Sequence, residues 1–267
     1  MGTGRPVTLI TGASAGIGEA LAKVFAAHGH ELVLVARREQ ALDRIADGIA
    51  ATGKPRPTVL ALDIALPGAA ERIKTELAGR GLAVQYVVNN AGFGLLGLAD
   101  RLDRAEQLAM IDLNVRALAD LSLAFVDSLA ALRGGVLNVA SVAGFLPGPG
   151  MAVYYATKHF VVSFSESLHY ELAPRGVRVT LLCPGPVPTE FQARAGIENR
   201  PSILDRPAEA VAQAGYRGLM RGRRLVVPGW PNWMVSQLPR FAPRALMVHL
   251  VMRNQAHRLR PRAASRS

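Results

Sequence analysis

Apolar positions in this chain fall into two kinds of run. Short, nearly unbroken ones rich in Val, Leu and Ile occur at VTLI (Val7 to Ile10), ELVLVARR (Glu31 to Arg38) and TVLAL running up to Asp63. Others are YVVN ending at Asn89, GGVLNVAS ending at Ser141, VRVTLLC ending at Cys183 and RRLVVPG ending at Gly229. Runs of this length and composition read as strands buried on both faces, as in a parallel sheet. Between them the apolar residues return every three or four positions, which predicts amphipathic helices. These cover EALAKVFAAHG, closed by Gly29, then Glu39 to Ala51, Gly68 to Arg80, and Arg104 to about Arg116 continuing toward Leu132. Two more cover Met151 to Ala173 and RPAEAVAQAGYRGLMRG. Strand and helix alternating in this way predict an α/β fold, a doubly wound parallel sheet of about seven strands with helices on both faces.

At 267 residues and 50% hydrophobic content the chain can bury a large core, and one domain over residues 1–229 accounts for the pattern. Residues 230–258 then form a helical extension, and 259–267 a disordered basic tail. The net charge of +11 is uneven: after Glu209 there are eleven arginines and no acid, so the body before it is neutral. The single cysteine, Cys183, excludes an internal disulfide and a multi-cysteine metal site and suits a reducing cytoplasm. It ends an apolar run and reads as core. His159 and His169 lack metal-ligand spacing, so no metal is expected. No signal peptide is expected, and no apolar run approaches the roughly 18 residues that span a bilayer.

The first strand runs into TGASAGIG, Thr11 to Gly18, and the first helix. A strand, glycine turn and helix N-terminus form an anion site, with backbone N–H groups and the helix dipole facing a pyrophosphate, as in a Rossmann-type nucleotide fold. Gly12 permits the turn, Gly16 admits the phosphates and Gly18 lets helix and strand pack; Ser14 and Ile17 belong to the same contact surface. The second strand ends at Ala36, Arg37, Arg38 with no acid before Glu39. An acid there would bind the ribose 2′-hydroxyl of NAD, whereas arginine holds the 2′-phosphate of NADP. NADP(H) is therefore preferred over NAD(H). Asp63, at a strand end, either accepts from the adenine amino group or caps the helix near Pro67. The small residues of the turn Asn90, Ala91, Gly92 let a ribose lie against backbone.

Tyr154 and Lys158 stand four apart on a predicted helix, on one face and about 6 Å apart at Cβ. A phenol, with its ordinary pKa near ~10, becomes more acidic beside an ammonium. Ser141, at the carboxyl end of a strand, adds a hydroxyl to the oxygen that Tyr154 protonates.

TGxxxGxG at Thr11 to Gly18, NNAG at Asn89 to Gly92, Asn114, Ser141 with YxxxK, and PG at Pro184 and Gly185 occur in an order and spacing that resembles the short-chain dehydrogenase/reductase family. The resemblance spans residues 7 to about 191. It implies hydride transfer between a nicotinamide and a carbonyl or alcohol, with Asn114, Ser141, Tyr154 and Lys158 catalytic. Asn114 would kink its helix and hold a water linking Lys158 to solvent, and Lys158 and Tyr154 would also touch the cofactor. Backbone at Pro184, Gly185 and Val187 would fix the carboxamide, helped by the Thr189 hydroxyl. The resemblance further implies dimers or tetramers built on the helices around Asn114 to Leu132 and Tyr154 to Ala173. Phe93, Phe145, Met151 and Phe191, with Ser141 and Tyr154, are the expected substrate contacts; with no convergent charge among them, an apolar ketone or aldehyde is expected. The alternatives are a nucleotide-binding sensor or scaffold, and dehydration or epimerisation by the same four residues. The C-terminal extension reads as a lid and subunit contact or as a basic surface lying on anionic membrane. Nucleic acid is not expected, since no recognition motif accompanies the charge.

Overall fold

The computed structural model describes residues 4–197 and 202–256; the tail expected beyond Arg258 lies outside them. Seven strands form one parallel sheet: β1 (Arg5–Thr11), β2 (Leu32–Ala36), β3 (Thr58–Ala61), β4 (Leu82–Asn89), β5 (Gly135–Val139), β6 (Arg178–Leu182) and β7 (Leu225–Val226). Their order is β3-β2-β1-β4-β5-β6-β7, so the chain reverses its direction of travel between β1 and β4. Such a switch point leaves a crevice at the carboxyl ends of the two strands, where open α/β sheets bind ligands.

The helices are α1 (Gly16–Ala27), α2 (Glu39–Ala50), α3 (Ala69–Gly79), α4 (Arg104–Ile111), α5 (Leu118–Ala124), α6 (Val126–Ala131) and α7 (Ala152–Leu172). After these come α8 (Glu190–Arg194), α9 (Ala208–Met220), α10 (Trp230–Gln237) and α11 (Arg244–Ala256). Alternation along β2 shows how the sheet divides the core. Leu32 and Leu34 join Leu21 and Phe25 of α1, Leu42 of α2 and Leu219 of α9 on one face. Val33 and Val35 join Ile73 of α3, Leu121 of α5 and Leu168 of α7 on the other. Strands with both faces covered need apolar residues at every position, which is why these segments read as unbroken runs.

The expected long helix from Arg104 toward Leu132 is broken twice. A π turn occupies Asp112–Ala117, and at Phe125 the backbone leaves helical values (φ −105°, ψ 5°) before α6. Apolar periodicity survives both interruptions because the flanking segments bury the same side, so the pattern alone did not reveal them. Among the described residues no helix is long and apolar enough to cross a membrane.

Candidate active site

The carboxyl ends of β1 and β4 are fastened together at the switch point. Thr11 Oγ1 accepts from the backbone N–H groups of Asn90 and Ala91 at 3.1 and 3.2 Å and donates to the Val88 carbonyl. The Asn90 amide donates to the carbonyls of Thr11 (3.1 Å) and Gly12 (3.2 Å). Asn90 thus shapes the glycine turn through its side chain. A methyl group on Gly18 would lie 2.2 Å from the Gly12 carbonyl oxygen, and Gly12 itself adopts φ +63°; neither position admits another residue without rearrangement. α1 begins without a side-chain cap at Ala15, so its first-turn amides are left for an anion. This uncapped helix over a glycine turn fits the diphosphate of a dinucleotide.

Ser141 follows β5, caps the short 3₁₀ turn Val142–Phe145 by accepting from the Ala143 N–H at 3.2 Å, and hydrogen-bonds the Tyr154 hydroxyl. Tyr154 and Lys158 lie on one face of α7, both buried, with Lys158 Nζ 5.8 Å from the centre of the Tyr154 ring. The ammonium donates to the Val139 carbonyl at 3.0 Å and lies 3.7 Å from where a side chain on Gly92 would begin, which places it at the β4 turn.

The expected lowering of the Tyr154 pKa is corrected by this environment. Burial raises it above the ordinary phenol value, and the Ser141 hydrogen bond offsets only part of that. Lys158 is desolvated by the same burial, which brings its own pKa down to about 8. The ammonium is turned to the Val139 carbonyl, and loss of solvation dominates the shift of the phenol. Cys183, expected as core, is buried beside this set, and burial raises its thiol pKa.

Asn114 sits in the π turn, the position of the expected kink. Its amide oxygen accepts from the Phe93 N–H at 3.1 Å, and its nitrogen donates to the Phe93 carbonyl (2.9 Å) and to Thr157 Oγ1 (3.1 Å). The side chain therefore fixes the strand leaving Gly92 beneath Lys158. Thr157 was not singled out from sequence; it also donates to the Tyr154 carbonyl at 2.7 Å, and a threonine one residue before the motif lysine carries no signal by itself.

Phe93, Met151 and Tyr154 are brought together with Met110 and Ala143, and Leu95, Leu96 and Phe191 pack against them. Phe191 reaches in from α8, its ring 5.6 Å from that of Tyr154. Phe145, also expected there, does not join this cluster; it packs with Leu118, Val161 and Cys183. The Arg194 guanidinium, missed from sequence, lies 4.3 Å from the centre of the Phe93 ring. Its pKa is lowered first by burial and then by Arg37.

Pro184 accepts from the Val142 N–H at 3.0 Å, which joins the PG turn to the Ser141 segment. Val187 is buried against the α1 and α9 core. The Thr189 hydroxyl donates weakly to the Val187 carbonyl (3.4 Å), and its methyl faces Gly16. Asn232 of α10, also unforeseen, occupies the space beside Gly185, where any added side chain would collide with it. It donates to the carbonyls of Leu204 and Pro228, while its amide oxygen is buried without a partner among the described residues. The extension is thereby built into the wall of the cleft.

At the other end of the cleft Arg37 faces Asp63 at 3.8 Å, and Arg38 donates to Glu190 at 2.8 Å and to Ser14 Oγ at 3.2 Å. Asp63 Oδ1 accepts from the Ala65 N–H at 3.0 Å; it stabilises that turn and does not cap α3, which starts after Gly68. Among the described residues no cluster of three His, Cys, Asp or Glu could hold a metal ion.

Comparison with known proteins agrees with this geometry. The family model described as short chain dehydrogenase matches residues 6–199. A sulfoacetaldehyde reductase of Chromohalobacter salexigens is 37% identical over 188 residues, covering 69% of this chain and 74% of that protein. The human very-long-chain 3-oxoacyl-CoA reductase is 29% identical over 260 residues, covering 94% and 81%. A short-chain dehydrogenase from Sphingobium yanoikuyae, solved in complex with NADPH, superposes with a TM-score of 0.76 at 30% identity, covering 98% of each chain. With the glycine turn, the serine, tyrosine and lysine in one cleft, and a family model matched over most of its length, the chain belongs to the short-chain dehydrogenase/reductase family of NAD(P)-dependent oxidoreductases acting on alcohols and carbonyls.

Proposed function

We propose that the protein is an NADP(H)-dependent reductase or dehydrogenase of an apolar carbonyl or alcohol, with Asn114, Ser141, Tyr154 and Lys158 as its working set. The observation that carries this is the buried Tyr154 phenol, hydrogen-bonded to Ser141 and 5.8 Å from the Lys158 ammonium, at the mouth of the glycine-turn crevice. The bound nicotinamide supplies or accepts the hydride. The chain does the rest. Ser141 orients the substrate oxygen, and Tyr154, kept protonated by burial, gives its proton to that oxygen in the reducing direction. Lys158 stabilises the phenolate left behind. Asn114 holds Phe93 and, through Thr157, the turn of α7 that carries both groups.

Arg37 and Arg38, with Ser14 between Arg38 and the glycine turn, support the NADP(H) preference. The side chains around Tyr154, namely Phe93, Met110, Met151, Leu95, Leu96 and Phe191, support an apolar substrate. A second reading takes its support from Arg194 above Phe93: a carbonyl compound bearing an anionic group, as in the name of the sulfoacetaldehyde relative. An NADPH-oxidation screen separates the two. Turnover rising with chain length from small polar to long apolar carbonyls supports the first, and turnover confined to anionic short aldehydes supports the second. No NADPH loss with any carbonyl would leave dehydration or epimerisation, which show no net cofactor change.

Two further surfaces fit contacts beyond the site. Leu123 on α5, with Phe160 and Tyr170 on α7, is exposed on the helices expected to build a dimer or tetramer. Trp230, Trp233 and Met234 form an exposed apolar stripe on α10, in a segment without acids, which fits peripheral contact with anionic membrane. Sedimentation velocity with and without anionic vesicles tests both: a lone monomer in each sample would remove both contacts.

A further inference from the structure

The adenosine end of the cleft holds more charge than the end of β2 shows. Reading along the strand, Arg37 and Arg38 stand without an acid, which is the arrangement for a 2′-phosphate. In the folded chain each arginine faces a carboxylate from a distant segment: Arg37 faces Asp63, and Arg38 faces Glu190, 152 residues later, at the start of α8. The contacts of Arg38 are concentrated on one nitrogen. Its Nη2 donates to Glu190 Oε2 at 2.8 Å, to Ser14 Oγ at 3.2 Å and to the Ser14 carbonyl at 3.4 Å. That nitrogen carries two hydrogens, so its donating capacity is fully taken.

A phosphate approaching Arg38 is left the N–H groups on Nε and Nη1, and meets a carboxylate of its own sign beside the occupied Nη2. The ribose 2′-hydroxyl of NADH meets no such opposition, because a carboxylate is the acceptor that NAD-selective sites place near this point. Glu190 is well placed to act this way. The residues flanking Glu190 are packed, Thr189 against Gly16 and Phe191 against Tyr154, which holds the start of α8 within reach of Arg38.

We infer that Glu190 is a cofactor-selectivity residue: by engaging Arg38 from α8 it opposes the adenosine 2′-phosphate and narrows the chain's preference for NADPH over NADH. This rests on the oxidoreductase reading of the cleft and adds to it an acidic determinant that sequence position alone assigns to no cofactor. Arg38 and Glu190 are both more than half exposed, so the effect is modest, about fivefold in the ratio of dissociation constants.

The test is calorimetric titration of the full chain with NADPH, NADH and adenosine 2′,5′-bisphosphate, in the native protein, Glu190→Gln, Arg38→Ala and the double variant. Thermal melts confirm that each is folded. Glu190→Gln is expected to tighten NADPH and the bisphosphate about fivefold while NADH stays within twofold. In the Arg38→Ala background the same change is expected to lose most of that gain. An unchanged or lowered NADH-to-NADPH ratio in Glu190→Gln would overturn the inference, as would the full gain persisting without Arg38. If the native chain binds neither nicotinamide cofactor, the oxidoreductase reading falls as well; if it binds both and only the ratio fails to move, Glu190 alone is wrong.

Discussion

The two ends of the cleft are built on opposite principles. Around Tyr154 the polar groups are buried and each is held by a short-range partner: Ser141 on the phenol, the Val139 carbonyl on Lys158, the Phe93 backbone on Asn114. Around Arg37 and Arg38 the groups are exposed and held by carboxylates from remote segments. Burial magnifies electrostatic effects at the first end, and desolvation is the largest influence on both the phenol and the ammonium. At the second, water and salt screen each pair, so selectivity is a balance of small terms. The chemistry should therefore respond to single substitutions by orders of magnitude, and cofactor choice by much smaller factors.

The largest contrast is expected from Tyr154→Phe. Removing the proton donor should lower turnover by roughly 10²- to 10⁴-fold while cofactor affinity, measured by titration, stays near native. Loss of cofactor binding in step with activity would mean that Tyr154 is mainly structural. At the exposed end, Arg37→Ala with Arg38→Ala should weaken NADPH by about 10- to 100-fold, since hydrogen bonds to a charged partner are lost and Glu190 and Asp63 are left facing the phosphate. NADH should change little; equal weakening of both cofactors in the same titration would show that the arginines do not read the 2′-phosphate.

The smallest effect separates burial from charge at the reaction end. Lys158 has a folded pKa of about 8 against an ordinary 10.5. Between those values the unfolded chain binds the proton more firmly, so stability rises with pH through this window. The burdened, charged form dominates below it. In Lys158→Met that slope should disappear. Between about pH 7.5 and 9 the native protein should gain about 1 kcal/mol relative to the variant in denaturant melts. Parallel pH profiles would mean that the ammonium is solvated. Burial raises Tyr154 and Cys183 as well; their loss of protons in the unfolded chain opposes this rise toward the top of the window, and does so in native and variant alike, so the comparison isolates Lys158.

Legibility followed the same division. The glycine turn, Ser141 and the Tyr154 and Lys158 pair could be read because each depends on neighbours a few residues away, along one strand-turn-helix unit or one helical face. Asn232 against Gly185, and Glu190 against Arg38, could not be read, since nothing local marks an asparagine in the extension or a glutamate on a five-residue helix. Phe145 shows the converse: it stands four residues after Ser141, yet at the end of a 3₁₀ turn it packs in a different cluster from Tyr154.

By itself the order of residues determined the alternation of strands and helices, the glycine turn and the pairing of Tyr154 with Lys158 on one helical face. These follow from periodicity and from short-range geometry that every chain shares. Tertiary structure alone decided how burial shifts that pair and which carboxylates face Arg37 and Arg38. Both depend on solvent exclusion and on through-space charge, and these exist only once distant segments have packed together.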